Sequence, residues 1–287
     1  MTDRPAHALL DAGDGRRLDR FGDRIVDRPA PAAVGPGDER AGWTTADLRY
    51  ERDGGWQARD PALLAPWTVA IDGIVVELRP AAGGQVGLFP EQAPIWRWLA
   101  DRVVACSASV GADRPVRVLS LFAYTGAATL AAARAGAAVS HVDGSRPAVA
   151  WARRNAAASG LGERAIRWLV DDAGAFVNRE LRREARYDGI VLDPPSYGHG
   201  GGRGRAPAWR IADDLPGLLA DCARLIDSAA PFVALSAHGP EHGAERLADL
   251  LAGSLGVSRA SISAGDLDMR AETGATLPLG AYAMWSG

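Results

Sequence analysis

"VRVLSLFAYTGAATLAAARAGAAVSHVD", residues 116–143, decides the fold. It opens on a short apolar run, "VRVLSLF" (116–122), turns at "AYTG", and continues as an alanine-rich stretch ending at Gly136. A second short apolar run, "AVSHVD" (138–143), follows. Short apolar runs bounded by turn residues read as buried strands, and the stretch between them as a crossover helix. The alternation repeats downstream. "AIRWLV" (165–170), "YDGIVLD" (187–193) and "PFVALSA" (231–237) are each followed by a helical pattern, and "VSRASIS" and "LPLGAYAMW" close the chain. Strands alternating with helices predict an α/β fold, a parallel sheet with helices on both faces.

Upstream the pattern differs. Residues 1–85 read as a small β-rich module, and 86–287 as the α/β domain. "GDGRRLDRFGDRIVDRPAPAA" is turn-rich, with apolar pairs such as Ile25-Val26, and "RPAPAAVGPGDERAG" (28–42) reads as an extended surface connection. "PWTVAIDGIVVELRP" carries an Asp-Gly hairpin signal.

Bulk numbers narrow the function classes. No apolar run approaches the ~18 residues of a membrane span. The start, "MTDRPAHALLDAGDGRR", lacks a basic-then-apolar signal pattern. Two cysteines exclude a disulfide framework or a cysteine-rich zinc site and suit a reducing cytoplasm, the expected location. No pair of histidines has persuasive metal-ligand spacing, so no metal is expected. All 32 basic residues are arginine and the net charge is −3, which counts against a wide nucleic-acid grip but not against a local arginine patch.

In such sheets ligands bind outside the carboxyl ends of the strands. The first strand ends in a tight turn at Gly126, without the GxGxxG pattern of a dinucleotide site. The second ends in Asp143, able to accept from both hydroxyls of a ribose or simply to cap a helix. The third ends in Asp171-Asp172, where an adenine amino group would lie, again with helix capping as the plainer role. The fourth ends in Asp193-Pro194-Pro195-Ser196-Tyr197. Two prolines stiffen the backbone and expose carbonyls, and Tyr197 offers a face for a planar group. An adenosine site followed by a planar-substrate clamp is the logic of a class I S-adenosylmethionine methyltransferase.

"GLFPEQAPIW" (87–96), "VLSLFAYTGAATLAAARAGAAVSHVDGSRPAVAWARRN" (118–155) and "YDGIVLDPPSYGHG" (187–200) together resemble methyltransferases of the bacterial 23S rRNA large-subunit methyltransferase I (cytosine-C5) group, in a short subgroup without an obvious catalytic cysteine. The resemblance covers residues 87–287, and "LLDAGDGRRLDRFGDRIVDRP" resembles the amino-terminal part of that subgroup. It implies a Rossmann-like class I methyltransferase sheet of seven strands with the last antiparallel, and S-adenosyl-L-methionine as cofactor. The turn of Phe122, Tyr124, Thr125 and Gly126 would lie under the methionine portion, Asp143 would hold the ribose and Asp172 the adenine. Asp193, Pro194 and Tyr197 would face the acceptor. Phe89 and Gln92 match a segment, "GxFxDQR", that folds over the cofactor. Here Glu91 replaces its aspartate and Ala93 its arginine.

Carbon-5 methylation of cytosine needs a thiolate near the methyl donor. The fifth strand instead ends Ser236-Ala237-His238, and Cys106 and Cys222 fall on helical patterns. A nitrogen or oxygen acceptor needs only alignment and, where necessary, removal of a proton. His238 and His199 are the candidates for that proton. The loop "GHGGGRGRAPAWR" (198–210) reads as either an arginine-bearing lid or a solvated loop. Trp96, Trp98 and Trp151 read as core, and Trp43, Trp56 and Trp67 as possible groove residues. The expected activity is methylation of an RNA base. The alternative is N- or O-methylation of a small planar metabolite, and a third reading is a binding protein that keeps the cofactor site without catalysis.

Overall fold

The computed structural model describes residues 5–111, 113–196, 209–239 and 242–287. The chain divides into two compact units, Met1–Ala93 with Leu267–Leu279, and Pro94–Asp266 with Gly280–Gly287. The first unit runs past residue 85 and takes in a segment distant in sequence.

In the first unit, strands β1 (His7–Gly13), β2 (Arg16–Phe21), β3 (Arg24–Pro29), β4 (Leu48–Glu51) and β5 (Gly55–Ala58) form one sheet in that order. Strands β6 (Trp67–Ile71) and β7 (Ile74–Leu78) form a separate hairpin. Its turn residues, Asp72 (φ 48°) and Gly73 (φ 77°), both take the left-handed conformation of a two-residue turn, as the Asp-Gly signal predicts. Asp14 (φ 53°) and Gly15 (φ 74°) turn β1 into β2 in the same way.

As the β-rich reading of this module expects, the turn-rich stretch 13–33 holds two paired strands, β2 and β3. Five of the six residues of β2 are buried although four of the six are charged. Asp19 accepts from Arg17 Nε and Nη2 (both 2.7 Å) and Arg28 Nε (2.9 Å), and lies 2.8 Å from His7 Nε2. Burial alone would raise its pKa. The two guanidiniums and the histidine outweigh burial and hold the carboxyl well below the usual range. Buried charges are tolerated when paired, so these strands carry no apolar alternation to betray them.

In the second unit, helix α1 (Ala93–Val110) leads into β8 (Arg117–Leu121), α2 (Ala127–Arg134), β9 (Ala138–Asp143), α3 (Arg146–Ala158), β10 (Ile166–Val170) and α4 (Ala173–Arg182). The chain continues through β11 (Gly189–Leu192), α5 (Ile211–Ala223), β12 (Phe232–Ala237) and α6 (Ala244–Leu255) to β13 (Ser263–Arg270) and β14 (Thr276–Ser286), two strands whose facing ends, within Leu267–Leu279, belong to the first unit. The sheet order is β10-β9-β8-β11-β12-β14-β13. The first five strands of that order are parallel, and β14 runs antiparallel to β12, as expected for the last strand. All four residues of β11 are buried, the mark of a central parallel strand covered on both faces. Gly189 of β11 pairs with Phe232, whose ring occupies the space of any Cβ there, at 2.0 Å.

The chain moves outward from β8 to β9 and β10, then returns to the other side of β8 as β11. The strand order therefore reverses between β8 and β11, where α/β sheets bind ligands. Leu121 pairs with Leu192 at the carboxyl ends of these two strands. The next residues, Phe122 and Asp193, consequently flank the switch point.

Candidate active site at the switch point

Three residues of the turn after β8 carry positive φ: Phe122 (53°), Tyr124 (48°) and Gly126 (92°). Non-glycine residues rarely adopt this conformation, and where they do the surroundings impose it. The next strand does so here. Ala123 N donates to Val142 O (3.1 Å), and Tyr124 N to Asp143 Oδ2 (2.8 Å). Asn155, buried in α3, donates from Nδ2 to Thr125 O (2.9 Å). A Cβ on Gly126 would lie 3.0 Å from Ala152 Cβ, so the turn passes close to α3.

Asp143 ends β9. Its Oδ1 accepts from Ser145 N at 2.8 Å, so each carboxylate oxygen holds one backbone N–H. Burial raises its pKa, partly offset by these two bonds. An ionised carboxylate has roughly four lone-pair sites, so acceptor capacity remains for a ligand diol. The helix that follows is capped by Ser145, not by Asp143.

Asp172 is the N-cap of α4; its Oδ1 accepts from Ala175 N at 2.8 Å. Asp171 forms an ion pair with Arg179. Capping is thus the observed work of Asp172. Its carboxylate is exposed at the end of β10, beside that of β9.

On the other side of the switch point, three contacts brace the Asp193–Ser196 segment. Ser236, buried in β12, donates to Asp193 Oδ1 (2.6 Å). Ser196 Oγ donates to His238 O (2.8 Å). Trp209 Nε1 donates to Pro195 O (2.8 Å), so that carbonyl is already engaged within the protein. His238 Nε2 lies 3.4 Å from Asp193 Oδ1, which brings together two of the expected catalytic residues. Tyr197, His199, Arg203 and Arg205 lie outside the described residues.

Phe89 and Gln92 belong to the first unit, where Gln92 is buried and Phe89 precedes the 3-10 turn Pro90–Gln92. The indole nitrogens of Trp43, Trp56 and Trp67 donate to Asp11 (2.9 Å), Ala81 O (2.6 Å) and Phe21 O (3.3 Å), all within that unit. Cys106, in α1, and Cys222, in α5, are buried, and burial pushes both thiols up, away from the reactive thiolate. Among the described residues no group of three His, Cys, Asp or Glu side chains could hold a metal, and no helix is long and apolar enough to cross a membrane.

Sequence reading missed two residues of this site as contacts. Ser236 could have been found as a lone hydroxyl in the apolar run "PFVALSA", whose strand is buried throughout. Trp209 follows a glycine-rich loop and carried no comparable signal.

These residues suit a nucleoside-bearing cofactor: a glycine where a side chain would crowd α3, a half-buried carboxylate at the end of β9, and a braced acid across the switch point. Comparison with known proteins agrees. No protein-family model matches the chain. A solved S-adenosylmethionine-dependent methyltransferase from Agrobacterium tumefaciens is 33% identical, with a TM-score of 0.86 over 99% of this chain and 91% of that one. A putative S-adenosylmethionine-dependent methyltransferase from Streptococcus mutans shares the fold, with a TM-score of 0.73 at 18% identity over 98% of this chain and 75% of that one. Among curated proteins, ribosomal RNA large subunit methyltransferase K/L of Methylococcus capsulatus is 44% identical over 80 residues, 28% of this chain. The match spans only 11% of that protein's length. Its designation is K/L, so the finer likeness to the methyltransferase I, cytosine-C5 group gains no support.

Proposed function

The chain belongs to the S-adenosylmethionine-dependent methyltransferases, and we propose that it methylates a base of RNA, at a nitrogen and without a covalent enzyme intermediate. The observation that carries this reading is the pairing of Leu121 with Leu192, which sets the Phe122–Gly126 turn beside Asp193. S-adenosylmethionine supplies a sulfonium methyl group, which the acceptor's lone pair takes up to leave S-adenosylhomocysteine. Asp143 accepts the ribose hydroxyls through the lone pairs not used by Tyr124 N and Ser145 N. Asp172 supplies an acceptor for the adenine amine beside its capping bond. Asp193, with the Pro194 carbonyl, accepts the hydrogen bonds of the acceptor's N–H and so aims its lone pair. His238, beside Asp193, takes the proton that the methylated nitrogen sheds.

The RNA acceptor is supported by the K/L relative's name and by the sequence resemblance, and it implies action in the cytoplasm. The buried, protonated thiols of Cys106 and Cys222 support nitrogen over carbon 5. One observation favours a small planar metabolite instead. The first unit carries 12 arginines against 17 acids, a poor surface for a phosphate backbone. Mass spectrometry of ribosomal RNA nucleosides from cells with and without the gene decides between them. Loss of one N-methylated base on deletion is expected; an unchanged nucleoside profile would overturn the RNA reading.

A further inference from the structure

Trp209 occupies a place in the site that the methyl-transfer reading does not use. The residue is half-buried, immediately before α5. Its indole nitrogen donates to Pro195 O at 2.8 Å, at the end of β11. Its ring lies 5.0 Å from that of Phe122, at 52°, at the end of β8. One side chain therefore spans both strand ends that define the switch point. Its anchoring lies on the carboxyl side: Ile211 N donates to Ser196 O (3.3 Å), and Ile211 is buried in the first turn of α5.

This placement has chemical consequences. With its single donor satisfied inside the protein, the indole offers the crevice a ring and no hydrogen bond. A half-exposed aromatic ring at the mouth of a ligand crevice is a stacking surface, and every base has a flat π-face to stack on it. Trp209 also takes up one of the two lone pairs of the Pro195 carbonyl, and the polar recognition of the acceptor is assigned to Asp193 and Pro194. Stacking and polar recognition are thereby divided between different residues.

We infer that Trp209 is a specificity-determining residue, the wall against which the acceptor base stacks while Asp193 engages its edge. The inference rests on the RNA reading above. It predicts a loss that tracks aromaticity at this position and is confined to the acceptor.

The test compares the wild-type protein with Trp209→Ala, Trp209→Leu and Trp209→Phe. The readouts are KM and kcat for RNA from cells lacking the gene, and the dissociation constant of S-adenosylmethionine by calorimetry. W209A should raise the acceptor KM roughly tenfold or more, the scale of one lost base–aromatic stack. Cofactor affinity should stay within about twofold, a difference of about 0.4 kcal/mol. W209F should recover most of the loss and W209L little. If W209A unfolds, the Phe and Leu variants still decide the matter. Equal values for Phe and Leu, an unaltered KM in W209A, or a matching loss of cofactor affinity would overturn the inference while leaving the RNA reading intact. Absence of any RNA labelling by the wild-type protein would overturn both.

Discussion

The hydroxyl of Ser236 donates to Asp193 Oδ1 at 2.6 Å, tying the end of β12 to the acid that follows β11. That bond limits the rotation of the carboxylate proposed to aim the acceptor. Replacing Ser236 by alanine removes a hydrogen bond to a charged group, worth about 1.5–3 kcal/mol. We expect kcat for RNA methylation to fall by roughly 10- to 100-fold, with S-adenosylmethionine affinity unaltered in calorimetry. Full turnover in S236A would show that Asp193 needs no such brace.

Asp143 offers a test of cofactor recognition. Asp143→Ala should weaken S-adenosylmethionine binding by about 1.5–3 kcal/mol, and Asp143→Asn, which keeps one acceptor oxygen, by less. Part of the alanine effect will be release of the turn, because both carboxylate oxygens also hold backbone N–H groups. Unaltered affinity in both variants would remove Asp143 from the cofactor site.

Gly126 combines φ 92° with a space that a Cβ would fill to 3.0 Å from Ala152. Gly126→Ala should therefore destabilise the protein by about 1–2 kcal/mol, measured by urea unfolding, and weaken cofactor binding as the turn shifts. An alanine variant as stable as the parent would refute the strained-turn account.

His141 gives a pH signature. Its ring is fully buried, with Nδ1 2.9 Å from Thr129 Oγ1. Burial, with Arg153 adding to it, pulls its pKa down to about 3. The unfolded chain takes up a proton near pH 6.5 while the folded protein does not. This contribution to stability is present above about pH 6.5 and is lost as the pH falls towards 3. At pH 5 the loss should be about 2 kcal/mol. Urea unfolding at pH 7 and pH 5 should show that much greater acid sensitivity in the wild type than in His141→Gln. Equal sensitivity would contradict the assignment.

The sheet was legible in the sequence because parallel strands are covered on both faces and leave continuous apolar runs such as Gly189–Leu192. The acids at the strand ends were legible for the same reason, since each interrupts an apolar run at its carboxyl end. The sheet of the first unit was harder to read. Its strands β2 and β3 bury Arg17, Asp19, Asp27 and Arg28, and a pattern of alternating apolar residues cannot register ion pairs. The assignment of Leu267–Leu279 to that unit was out of reach, because Thr273 meets Asp11 only after folding (2.6 Å). The Trp209 contacts with Phe122 and Pro195 were hidden likewise, since they join residues from separate strand ends.

The most direct test of the account uses S-adenosylmethionine labelled on its methyl group. The purified protein is incubated with RNA and small-metabolite fractions from cells lacking the gene, and labelled RNA is digested to nucleosides. The account predicts label in RNA, on a base nitrogen. Label on carbon 5 of cytosine would contradict the argument from the buried cysteines, and label in the metabolite fraction alone would contradict the RNA acceptor.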